Sequence, residues 1–169
     1  MLILKLLMTF LKALNEKASP RAMAGGFALG MIIGLTPKGS LHNAVVVLLI
    51  FLLPVNKSAS LVLAAAFALF SYLLDPFFNS VGEFLLTLPP LQGFWTTLYN
   101  TPVLPWTRFN NTLVLGSLVI SLALFIPLFF VTTWGVATYR ERVVAVASKW
   151  KLFQLLKVSK IYMIYEKLS

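Results

Sequence analysis

Few side chains in this sequence can do chemistry, and most of them gather in one short stretch. Lys38, Gly39, Ser40, His42 and Asn43 lie within a single turn-and-helix start, and Asp75 and Glu83 follow further along. The stretch Thr36-Pro37-Lys38-Gly39-Ser40 is a polar break between two apolar runs. Thr36-Pro37 reads as a helix start, the threonine capping and the proline occupying the first turn. A cation placed just after it opposes the helix dipole, whereas a bound anion would meet the Lys38 ammonium together with the free amides of Gly39 and Ser40. The chemistry this suggests is binding of a phosphate or carboxylate, above all that of a lipid headgroup. The plainer reading has Lys38 snorkelling to water and the glycine permitting the turn, and a lone lysine weighs toward it.

Other chemistries are poorly served. With one histidine and no cysteine, a metal site would need carboxylates, and none stands at ligand spacing from His42. Ser40 and His42 are two apart and face different directions on a helix, which argues against a nucleophile and base pair. The glycines around Thr36 lack the Lys-Ser/Thr pair of a phosphate-binding loop, and no parallel sheet is available to hold one. His42 and Asn43 read as hydrogen-bonding groups between helices, with His42 a proton carrier only in a wet site. Asp75 reads as a helix cap before a proton carrier. Glu83, within the apolar run from Phe77 to Leu88, must lie at an interface or meet a cation such as Lys38.

The solvent for these groups follows from composition. Hydrophobic residues make up 59% of the chain and charged residues 11%, with a mean hydropathy of +0.89, against roughly a quarter charged in soluble domains. This is the composition of an integral membrane protein with no room for a separate catalytic domain. Fourteen Lys and Arg against five Asp and Glu give +9. Because the basic residues flank apolar segments, anionic membrane lipids are the expected partner and nucleic acid is not. No cofactor is indicated.

The elements that must position the polar stretch are all helical. Ser19-Pro20 starts a helix on which Ala22, Gly26, Gly30 and Gly34 form a bare ridge at four-residue spacing, a surface another backbone can approach closely. Ser60, Ala64 and Ala68 form a second small seam, expected to meet it. Residues 22–35 and 41–53 each reach only about 20 Å, short of the ~30 Å hydrocarbon core. They read as a re-entrant hairpin with Lys38 at its tip, two short crossings being the alternative. A crossing over residues 58–75 follows, and Asp75-Pro76 should restart a helix as Ser19-Pro20 does. The similarity of Ala24-Gly25-Gly26-Phe27-Ala28-Leu29 to Ala64-Ala65-Ala66-Phe67-Ala68-Leu69 is a faint repeat.

The expected division is therefore an interfacial amphipathic helix over 1–18, a Gly/Pro-broken helical membrane domain over 19–88, an aromatic, proline-rich interfacial loop over 89–111, a transmembrane helix over 112–134, and a basic amphipathic tail over 135–169. Lys5, Thr9, Lys12 and Glu16 make the polar stripe of the first. The fold class is all-α membrane protein, with a glycine-packed hairpin and two to four crossings. Positive charge near the early segments and in the tail puts both termini in the cytoplasm.

The run Ser19-Pro20 to Gly30, then Gly34-Leu35-Thr36-Pro37-Lys38-Gly39, and later Asn56, Asp75-Pro76 and Gly82, resembles the small bacterial membrane domain catalogued as domain of unknown function 2062. The resemblance covers residues 19–88, with Asp75 where asparagine is common in the family. The length and basic tail are similar to a short subfamily of inner-membrane proteins encoded beside a larger envelope protein. It implies a bacterial inner-membrane location and such a partner, and carries no established activity.

Residues and resemblance together lead to a non-enzymatic inner-membrane protein, a subunit or partner in envelope or lipid handling, with homo-oligomerisation left open. The alternative is a small transporter or channel-like unit in which Glu83, Asp75 or His42 carries coupling protons.

Overall fold

The computed structural model describes residues 18–149, with side chains described as far as residue 142. The expected interfacial helix before Ala18 and the tail beyond Lys149 lie outside the described residues. Within them every regular element is helical: α1 (Pro20–Leu35), α2 (Leu41–Leu52), α3 (Lys57–Thr87), α4 (Gln92–Asn100) and α5 (Thr112–Lys149), with short 3-10 turns at Pro89–Leu91 and Leu104–Thr107. Two helical segments, Lys57–Thr87 and Thr112–Arg142, are long and apolar enough to cross a membrane.

The shortest of the three packed helices, α1, is the centre. Its Ser19 cap accepts the Ala22 amide at 3.1 Å and Pro20 occupies the first turn. Twelve of its residues are buried, so it is enclosed nearly all round, as a core helix must be when it is apolar on every face. On one side it meets α3 in parallel. A Cβ added at Gly26 would collide with the Asn56 carbonyl, at Gly30 with the Ser60 carbonyl, and at Gly34 with Phe67 and the Ala64 carbonyl. The Asn56 amide donates to the Ala22 carbonyl at 2.9 Å, and the Asn56 side chain caps α3 by accepting the Ala59 amide at 2.7 Å. One residue thus starts α3 and ties it to α1.

α5 runs back along the other side. Val136 packs with Met23, Phe27 and Ala59 at one end, and Leu113, Ile120 and Leu128 pack around Met31, Leu35 and Phe78 toward the other. Arg140 closes the first end by donating to the Ala18 carbonyl. α3 and α5 meet at a reciprocal contact: a Cβ at Gly82 would strike the Thr112 carbonyl, and one at Gly116 the Phe78 carbonyl. α2 lies on the outside, held through Val46 and Ile50 against Leu29 and Ile32. Phe51, Leu52, Leu61, Leu73, Phe130 and Trp134 are all more than three-fifths exposed, so a wide apolar surface surrounds the bundle.

Three expectations need correction. Thr36-Pro37 ends α1 and does not begin a helix: Thr36 is the extended C-cap and its amide donates to the Ile32 carbonyl. A proline disfavours helical geometry at the residue before it, so the pair stops a helix as readily as it starts one. Asp75-Pro76 does neither, because α3 runs through it. The missing amide of Pro76 costs one backbone bond, while Phe78 and Gly82 just beyond are buried against α5 and hold the helix on course. Finally, the helix expected to end at Trp134 continues to Lys149. A lone glycine at 135 costs only about 1 kcal/mol, and Val136 is buried in the core.

Candidate functional site

The polar stretch forms the turn between α1 and α2, and the chain satisfies its own backbone there first. The Lys38 ammonium donates to the carbonyls of Gly34 at 2.9 Å and Ile33 at 3.2 Å. The Thr36 hydroxyl lies 2.7 Å from the Ile32 carbonyl and 2.8 Å from Asn43 Oδ1, its single proton serving one at a time. The Asn43 amide donates to the Pro37 carbonyl at 2.9 Å. The carbonyls of Ile33 and Gly34, near the end of α1, are therefore taken up by the Lys38 side chain. Lys38 is a cation at a helix C-terminus, where the dipole favours it. The sign is the reverse of the one that a helix start at Thr36-Pro37 implies.

Two of three ammonium protons are thus committed, and the Ser40 amide is committed too, donating to the Pro37 carbonyl at 3.2 Å. Ser40 precedes α2 without a side-chain cap bond. Gly39 is exposed, its φ is not positive, and a Cβ there would meet nothing within 4 Å. Neither packing nor backbone geometry requires glycine at that position, in contrast to the glycines of α1.

Lys38 stands between two hollows. On one side a cleft of about 720 Å³ is lined by Lys38, Gly39, Ser40, Asn43, Trp106 and Arg108, with an apolar wall of Ile33, Leu41, Ala44 and Val47. On the other a pocket of about 240 Å³ is lined by Thr36, Lys38, Ser71, Tyr72, Asp75 and Leu113. The turn thus sits beside Ser71 to Asp75, and the last twelve residues of α3 run on past it. Burial of its stem lowers the Lys38 pKa, and the Asp75 carboxylate pulls it the other way.

Asp75 is half-buried inside α3 and so does not cap a helix. Glu83 is exposed two turns further along and joins neither hollow. His42, on α2, lines neither hollow; both of its ring nitrogens are buried without a hydrogen-bond partner among the described residues. Of the residues singled out from the sequence, the fold therefore brings Lys38, Gly39, Ser40 and Asn43 together, adds Asp75 behind them, and leaves His42 and Glu83 apart.

Sequence reasoning missed Arg108 and Trp106. The loop between α3 and α5 folds back over the turn: Trp95 donates to the Leu85 carbonyl at 2.8 Å and stacks on Phe109 at 5.9 Å between ring centroids. Arg108 itself has left-handed backbone geometry, φ 58°, and Val103 has φ 74°. Positive φ is strained for a β-branched residue such as Val103. The signal available was that Arg108 is the one charge in an aromatic, proline-rich segment.

Residues 5–144 match a family described as an uncharacterized protein conserved in bacteria, DUF2062. An uncharacterized protein of Treponema pallidum (strain Nichols) is 26% identical over 138 residues, covering 82% of this chain and 85% of that one. No solved structure matches.

Proposed function

We propose that this chain, which belongs to the bacterial DUF2062 family, is a non-enzymatic helical protein of the inner membrane that takes part in envelope or lipid handling by holding an anionic lipid headgroup at the α1–α2 turn. The observation that carries this reading is the cleft, where Lys38 and Arg108, from segments seventy residues apart, line one hollow with an apolar wall. A lipid presents the matching pair of surfaces, a phosphate and a chain.

The depth of the turn supports it. Arg21, Lys57 and Arg140 belong to the end of the bundle tied by the Asn56 and Arg140 hydrogen bonds, and the positive-inside rule assigns that end to the cytoplasm. From Lys57 to Asp75 α3 rises about 27 Å, close to the ~30 Å core. The hairpin then enters from the cytoplasmic side, carries its turn beside Ser71 to Asp75, about 21–27 Å from the level of Lys57 and so near the outer edge of the core, and returns. α3 crosses outward and α5 back, so both termini are cytoplasmic. Asn79, Ser80 and Glu83 of α3 fall beyond the core, where their polarity costs little. A larger envelope protein as partner rests on the resemblance alone.

Native mass spectrometry of the full chain released gently from its membrane, with Lys38→Ala in parallel, tests the reading. A phospholipid retained by the parent and lost from the folded variant is the expected result. A stoichiometric protein held by both forms, with no lipid on either, would replace lipid binding by a subunit role.

A transporter is the second reading, favoured by the polar pocket of Thr36, Ser71 and Asp75 behind Lys38. It requires transport by this chain alone in vesicles, abolished by Asp75→Asn.

A further inference from the structure

The charges lining the cleft restrict which anionic lipid it suits. Two cationic residues, Lys38 and Arg108, are among its lining residues, and no carboxylate is. The Asn43 amide donates to the Pro37 carbonyl and its Oδ1 lies within reach of the Thr36 hydroxyl, so the acceptor it presents to a ligand's own donors is a shared, neutral one. Lys38 also feels Asp75, but from the opposite pocket. Arg108 is exposed and makes no side-chain hydrogen bond or ion pair with the described residues. Its five donors are therefore free for a phosphate, which a guanidinium grips in bidentate fashion.

We infer that the cleft selects lipids that end in a phosphate monoester over lipids whose phosphate is a diester; this rests on the lipid-headgroup reading above. A monoester carries about −1.5 to −2 charges at pH 7, because its second ionisation falls near pH 6. That charge balances Lys38 and Arg108 together. A diester headgroup carries one negative charge and leaves a cation unmatched; if it is zwitterionic, it also brings an ammonium into a cleft with no carboxylate to receive it. Ile33, Leu41, Ala44 and Val47 supply the wall for the first part of the chain, and the exposed Leu48 and Phe51 on α2 continue that apolar surface. Free phosphate has the same head chemistry and no use for that wall. The left-handed backbone at Arg108 and the strained Val103 that opens the preceding turn lie in the segment that brings the guanidinium to the cleft, where stored strain accords with a positioned functional group.

The experiment is a titration of the purified full chain in detergent with dioctanoyl phosphatidate, dioctanoyl phosphatidylglycerol, dioctanoyl phosphatidylethanolamine and inorganic phosphate, read by native mass spectrometry. Phosphatidate should bind at least about tenfold more tightly than either diester lipid. Arg108→Asn should level that preference to within about twofold, and asparagine suits the left-handed geometry, so the variant keeps the turn. Arg108→Lys should restore part of it, and Arg21→Gln, at the other end of the bundle, should leave it whole. Equal affinity for phosphatidate and phosphatidylglycerol in the parent overturns the selectivity and leaves headgroup binding standing. Inorganic phosphate bound as tightly as phosphatidate overturns the role of the apolar wall. Failure of every lipid to bind removes the headgroup reading itself.

Discussion

The body of the α1–α2 hairpin and its turn use glycine for opposite purposes. In the body, Gly26, Gly30 and Gly34 are present because another helix's backbone occupies the place of a side chain. At the turn, Gly39 faces open space with ordinary backbone geometry. The α1 arm of that body is so closely packed that its residues have no freedom to serve a ligand. The turn has its internal hydrogen bonds met by Thr36, Asn43 and Lys38 and still leaves a concave polar surface. One stretch is constrained by packing and the next is available for binding.

The difference is broken most sharply by Gly30→Leu. The leucine has no space against the Ser60 backbone, so the three-helix core cannot close, and the largest effect expected is loss of monodisperse protein in size-exclusion chromatography. Gly116→Leu should do the same at the α3–α5 contact. Asn56→Ala removes the α3 cap and should lower stability by about 1–2 kcal/mol, visible as a drop in the thermal midpoint in detergent. Gly39→Ala, by contrast, should change stability by less than about 0.5 kcal/mol, as surface substitutions do. A body-like loss of folding in that variant would erase the distinction between the two regions. The smallest effect concerns pH. Because burial lowers the Lys38 pKa, its charge is lost at a lower pH than that of an ordinary lysine. Lipid retention should therefore weaken as pH is raised through the alkaline range, and Lys38→Arg should remove that dependence.

Three serine-, threonine- or aspartate-proline pairs show how far local chemistry is readable. Ser19-Pro20 starts a helix as its residue types imply. Thr36-Pro37 ends one, and Asp75-Pro76 lies within one. A capping side chain before a proline is compatible with a helix on either side of it, and the energy separating these outcomes, about 1–3 kcal/mol, is smaller than what burial against a neighbouring helix supplies. Phe78 and Gly82, fixed against α5, decide the matter for Pro76. The same limit hid Arg108. Its isolation in the 89–111 segment was visible, but nothing local says that the segment folds back to the α1–α2 turn.

What the sequence determined by itself is set by the covalent chain and its immediate solvent: helices throughout, two long apolar segments, a bare glycine ridge, and a polar break carrying Lys38. These follow from composition and short-range spacing, which need no knowledge of partners. That the Ser60, Ala64 and Ala68 seam fills the ridge was expected from spacing and is what the fold does. Whether a proline begins, ends or sits inside a helix, and which distant cation shares a cleft with Lys38, were decided only in three dimensions. Each of those depends on contacts between residues far apart in the chain, where packing energy outweighs the local preference that a sequence displays.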